Sequence, residues 1–131
     1  MKRIVFALCV GASAAHAETP RVNYMLQCQG CHGAEGRGAP GTVPSLAGVG
    51  RFLAVPGGRE YLVRVPGSSQ SALGDGELAE VLNWMIREFD PRDFAPYTAE
   101  EVARVRRPPL DDVDAARREL LQKLGEAPRA R

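Results

Sequence analysis

Lysine is almost missing from this chain. Lys2 and Lys123 are its only lysines, and arginine supplies the rest of the 17 cations set against 16 carboxylates. A lysine-studded docking face is therefore excluded. The net charge of +1 also excludes the basic surplus that nucleic acid or an anionic membrane attracts. No uninterrupted apolar run is long enough to cross a bilayer. Histidine occurs twice, at His16 and His32, and cysteine three times, at Cys9, Cys28 and Cys31. That poverty leaves no disulfide framework. It also leaves Ser68, Ser69 and Ser71 without a spare imidazole, so nucleophilic hydrolysis of the serine–histidine type is not expected. The pairs Glu100-Glu101 and Asp111-Asp112 read as helix-start charges rather than as acid–base catalysts.

What the chain does contain is one dense motif, Cys28-Gln29-Gly30-Cys31-His32. C-x-x-C-H is the attachment signature of a c-type haem. Two thiols on one turn can each add to a haem vinyl group, and the adjacent imidazole then lies under the iron as an axial ligand. Two other readings of C-x-x-C are weaker. Structural zinc takes four protein ligands, and beyond the N-terminal signal segment the chain offers only Cys28, Cys31 and His32 as Cys or His ligands, one short. A thioredoxin-type pair sits in a βαβ unit, and no such alternation precedes Cys28. The expected cofactor is one haem c per chain, bound through Cys28 and Cys31, with His32 on the iron.

The first residues read as a secretory signal. Lys2 and Arg3 form a basic start, residues 4–10 a short apolar core, and Ala15-His16-Ala17 an A-x-A cleavage pattern. Residues 1–17 are expected to be removed, taking Cys9 and His16 with them and making the charge balance slightly negative. Cys9 follows Leu8 rather than a small residue, so lipid anchoring is not expected. In bacteria haem is joined to C-x-x-C-H outside the cytoplasm. Signal and motif therefore agree on a soluble periplasmic protein.

Along the rest of the chain the pattern is helical. Thr19-Pro20 supplies an N-cap and a first-turn proline for a helix running into Cys28. Residues 33–50 are rich in glycine and predict an irregular loop. A short helix is expected over 58–65, stopped by Pro66-Gly67, and then a loop over 68–74. Asp75 is expected to cap the clearest helix, in which Leu78, Val81, Leu82, Met85, Ile86 and Phe89 fall on one stripe before Asp90-Pro91. Thr98 and Glu101 form a capping box for a helix to about Arg107. Asp111 is expected to cap a last helix carrying Val113, Ala116, Leu120 and Leu124 on one face, with Gly125 closing it. The final residues are expected to be disordered. The boundaries expected are a signal peptide over 1–17, a haem domain over 18–96 and a helical extension over 97–131.

The stretch from Tyr24 to about Phe89 resembles the class I c-type cytochromes, small monohaem electron carriers. The resemblance rests on Tyr24 four residues before Cys28 and on Cys28-x-x-Cys31-His32-Gly33. It rests further on Gly36 and Gly38, on Pro44-x-Leu46-x-Gly48, and on a closing helix bearing Trp84. It implies an all-α fold wrapped around one covalently bound haem, with an extra C-terminal pair of short helices here. It also implies that the first and last core helices cross with Tyr24 against Trp84. The Pro44 carbonyl would hold the His32 imidazole, fixing its tautomer and raising its basicity.

In that family a methionine before the last core helix usually takes the sixth iron position. Residues 65–74 contain no Met, His or Lys. The remaining candidates are Met85 on the closing helix, Met25 on the first helix, and oxygen or nitrogen donors such as Ser69 or Gln70. The resemblance implies one-electron transfer between a dehydrogenase and an oxidase or another cytochrome, through a small transient contact of a monomer. An apolar rim of Val49, Phe52 and Leu53 is expected around an exposed haem edge. Arg51, Arg59 and Arg64 are candidates for pairing a haem propionate. Two further readings are a haem protein whose sixth site binds small ligands or acts on peroxide, and an electron-transfer subunit docked to a dehydrogenase through its C-terminal extension.

Overall fold

The computed structural model of the protein describes residues 19–125. The signal segment with Cys9 and His16, and the disordered end expected after Gly125, lie outside the described residues. Helix α1 (Pro20–Gln27) begins as its sequence dictates: Thr19 is extended and its hydroxyl accepts from Val22 N, while Pro20 occupies the first turn. One further turn, α2 (Gln29–His32), follows directly. The Gly-rich stretch then runs without regular structure, except for an isolated bridge between Ala39 and Val43, to a 3₁₀ segment at Val49–Ala54. After it come α3 (Gly58–Arg64), α4 (Pro66–Ser69), α5 (Asp75–Phe89), α6 (Ala99–Val105) and α7 (Val113–Lys123). The described residues contain no named strand, so the architecture is all-α.

Three local expectations need correction. Residues 68–74 do not form a loop throughout, because Pro66–Ser69 make a short helix. Val65 is extended, as a residue before proline prefers, and Pro66 then sits at the first helical position, where its missing N–H costs nothing. The same proline thus ends α3 and opens α4. Asp75 does not cap α5. Gly74 holds that position and its N–H donates to Glu77 Oε2 at 2.8 Å, while Asp75 is turned to an arginine. In α7 the cap is Asp112, one residue later than expected, with Oδ1 accepting from Ala115 N at 2.8 Å.

Helix α5 carries the core. Leu78, Val81, Leu82, Met85 and Ile86 of its apolar stripe are buried, and α5 packs against both α1 and α6. Each such side chain contributes roughly 1.5–3 kcal/mol by leaving water. Val102 of α6 and Leu120 and Leu121 of α7 lie in the same core. The tail therefore covers its own domain, because an apolar helical stripe buries most surface against the nearest apolar face. Val49 and Phe52 do not form an exposed rim. They are 6 % and 1 % exposed, and the Phe52 ring lies 5.3 Å from that of Tyr61.

Polar side chains fasten the tail. Asn83 is buried on α5; its amide nitrogen donates to Tyr97 O and its oxygen accepts from Tyr97 N, at 3.0 and 2.7 Å. The Arg59 guanidinium clasps Glu101 through Nε and Nη2, at 2.6 and 2.7 Å, and lies over the Tyr97 ring. The Arg59 bonds hold the Glu101 carboxyl below its usual range. A carboxylate with a depressed folded value stabilises the fold above its unfolded value of about 4.3, and that gain is lost as pH falls through the folded value. Glu101→Gln should therefore flatten the acid side of a stability-against-pH profile below about pH 4.3 while leaving its neutral shape unchanged. Urea midpoints measured across pH check this; an unaltered acid limb would refute it.

Candidate functional site

The motif residues lie where α1 passes into α2. Cys31 N and His32 N both donate to Cys28 O, at 3.2 and 3.0 Å, which coils the five residues into one turn. Cys28 is half-buried and Cys31 exposed, and both are free thiols. Burial, and after it the neighbouring Cys31, push the Cys28 thiol up to about 11. Among the described residues no group of three or more His, Cys, Asp and Glu side chains gathers to hold a bare metal ion. The Cys28–His32 turn is thus not arranged as a zinc triad.

His32 Nδ1 stands 3.2 Å from Pro44 O. Burial, opposed by that bond, lowers the pKa of the imidazole. A proton on Nδ1 donated to the carbonyl leaves Nε2 with its lone pair, the form in which imidazole ligates a metal. Pro44 is held in place by the glycines before it. Gly36 O accepts from Leu46 N at 2.7 Å, Gly38 N donates to His32 O at 2.8 Å, and Gly38 has φ +69°. A Cβ on Gly38 would stand 2.3 Å from Val43 O and 2.7 Å from Pro44 O. Only glycine fits there, and the His32-to-Pro44 turn depends on it.

Tyr24 ties this turn to the core. Its hydroxyl donates to Gly33 O at 2.7 Å, and its ring centroid lies 5.1 Å from Trp84 and 5.4 Å from Phe89. Helices α1 and α5 thus meet through the aromatic pair that the sequence singled out. Burial first, and Cys28 next, push the Tyr24 phenol up to about 12, so it is a neutral donor. Tyr24→Phe should keep the ring packing and lose that bond, at about 1 kcal/mol. The expected sign is a lower denaturant midpoint with an unchanged m value.

The other residues marked in the sequence are spread over the molecule. Met85 is buried at 7 % in the α5 stripe, and Met25 is 51 % exposed on α1. Arg59 is committed to Glu101, and Arg64 Nε donates to Pro108 O at 2.8 Å. Arg51 borders a cavity of about 570 Å³ between residues 37–47 and α7, together with Pro44, Arg37, Arg117 and Arg118. Ser69 is fully buried and its hydroxyl donates to Arg106 O at 2.8 Å.

Sequence reasoning missed Arg106. This residue follows α6, is 7 % exposed, and turns its guanidinium onto residues 68–75. Nε donates to Ser69 O, Nη1 to Leu73 O and Asp75 Oδ1, and Nη2 to Ser71 O and Ser71 Oγ, all between 2.7 and 3.1 Å. Nothing local marks it among the many arginines; only the folded path of the tail brings it there.

A covalently attached c-type haem fits these residues: two thiols on one turn, and beside them an imidazole with one nitrogen engaged and the other available. The class defined by fold and site is a small all-α protein of the haem-attaching kind. No protein-family model matches the chain. It is, however, 36% identical over 129 residues to a cytochrome c-552 of Thermus thermophilus, spanning 81% of this chain and 87% of that protein. A second cytochrome c-552 of Thermus thermophilus is 40% identical over 103 residues, 61% of this chain and 79% of that protein. The chain belongs to the c-type cytochromes. Its cofactor is haem c, one per chain, and its class of activity is electron carriage. No helix among the described residues is long and apolar enough to cross a membrane.

Proposed function

We propose that Cys28 and Cys31 hold the haem, that His32 Nε2 is its proximal ligand, and that the protein passes single electrons in the periplasm from a dehydrogenase to a downstream oxidase or cytochrome. The observation that carries this is the His32 Nδ1 contact with Pro44 O beside two free thiols on the same turn. Each thiol adds its sulfur and hydrogen across a vinyl double bond, so no atom is lost. When bound, the iron supplies one-electron chemistry by alternating between its ferrous and ferric states. The polypeptide keeps His32 oriented through Pro44 and holds the attachment turn through Tyr24. Arg51 and Arg117, on the cavity beside Pro44, place cations where the haem's two carboxylates could be met. Residues 1–17 act as the export signal.

The test is a pyridine haemochrome spectrum of protein matured with the periplasmic attachment machinery. The position expected is that of a haem with two thioether links. Cys31→Ala should move the band to the single-thioether position. An unchanged band in that variant would sink the assignment. The carrier role predicts one reversible one-electron wave in a potentiometric titration.

A further inference from the structure

We infer that the sixth position on the iron is open to a small exogenous ligand of the carbon monoxide or nitric oxide kind. This rests on the haem reading above. A c-type iron is ordinarily closed by a second strong donor, methionine or histidine. The described residues hold few such groups, and the structure occupies nearly all of them elsewhere. Lys123 pairs with Glu119 and donates to Pro56 O, at 2.7 and 3.4 Å. Met25 lies on α1, only seven residues before His32 on the helix that leads into the attachment turn, and is half in solvent, a poor starting point for a ligand on the face away from His32. Cys28 and Cys31 are consumed by attachment.

The segment that joins α3 to α5 is also spent. Arg106 gathers the carbonyls of Ser69, Ser71 and Leu73, together with the Ser71 hydroxyl and the Asp75 carboxylate. Ser69 is fully buried and gives its proton to Arg106 O. Ser71 gives its proton to Ser68 O at 2.9 Å. The segment is therefore clamped onto the tail. Its other polar side chains are the half-buried Ser68 and the exposed Gln70, a hydroxyl and an amide rather than a thioether or an imidazole. Among the described residues Met85 is the only thioether in the interior. It belongs to the stripe of Leu78, Leu82 and Ile86 and packs as one of them, the common use of a core methionine.

Absorption and electron paramagnetic resonance spectra of the matured protein decide it, with carbon monoxide added to the reduced form and cyanide to the oxidised form. The expected results are a high-spin ferric signal, stoichiometric carbon monoxide binding complete on mixing, and the same behaviour in Met85→Leu, a nearly volume-conserving change. A low-spin ferric spectrum with a thioether-to-iron charge-transfer band that Met85→Leu abolishes would overturn the inference. So would a low-spin signal lost in Gln70→Ala. Protein that carries no haem absorption at all would overturn the attachment reading and this one with it.

Discussion

Arg106→Ala should unfold the protein at about 10 °C lower temperature. The guanidinium is buried, and its three nitrogens serve four backbone carbonyls, the longest contact being 3.5 Å to Ser68 O, with a hydroxyl and a carboxylate. Truncation removes all of these charge-assisted contacts at once and leaves the carbonyls of Ser69, Ser71 and Leu73 without their donor. Asp75 is 41 % exposed and regains water, but each buried carbonyl left without a donor costs roughly 1–3 kcal/mol. The residue closes a loop between distant parts of the chain, so the loss falls on the packing of α6 against α5 as well as on residues 68–75. Arg106→Lys should recover little, because one ammonium cannot span the same fan of acceptors. Calorimetry checks this; a fall of less than about 2 °C in the alanine variant would show that the network is not what holds the tail.

The second large effect is expected at Gly38. Alanine there meets two penalties. A left-handed conformation costs an L-residue roughly 1–2 kcal/mol, and the new methyl would lie 2.3 Å from Val43 O, so backbone must move. The combined loss should be roughly 2–4 kcal/mol. Gly41→Ala separates the two. Gly41 also has positive φ, but a Cβ there meets nothing within 4 Å, so it should show the conformational cost alone. Equal losses at both positions would mean that close approach at Gly38 is unimportant. Because the displaced atoms include Pro44 O, the Gly38 variant should also yield less haem-bearing protein than the Gly41 variant.

These two positions mark what a sequence can and cannot reveal. Gly38 is legible, because a glycine cluster after C-x-x-C-H signals a turn that no side chain fits. Thr19, Pro20, the α5 stripe and the Thr98 cap are legible for the same reason: each is a local rule acting over four to fifteen residues. Thr98 Oγ does accept from Glu101 N, at 3.2 Å. The Tyr24–Trp84 contact is reachable only through family resemblance, since the two residues are far apart in the chain. Arg106 is not legible at all. Its partners are more than thirty residues away, and an arginine at a helix end reads as a solvated charge. Asp75 misleads on the same account. A carboxylate before an apolar stripe looks like a cap, and only its pairing with Arg106 moves it into the first turn. Val49 and Phe52 read only as an apolar rim around an exposed haem edge, with nothing local to place them; the fold buries both, with Arg117 of α7 over the Phe52 ring at 5.2 Å.

The proposed function depends on the covalent union of Cys28 and Cys31 with a haem. Intact mass spectrometry under denaturing conditions measures it directly, on protein exported with the attachment machinery present. The account predicts the polypeptide mass plus one haem, retained after acid and acetone extraction, with loss of the retained haem when Cys28 and Cys31 are both alanine. A full-length or signal-cleaved polypeptide of bare mass, or one whose haem is extracted by acid acetone, would contradict it.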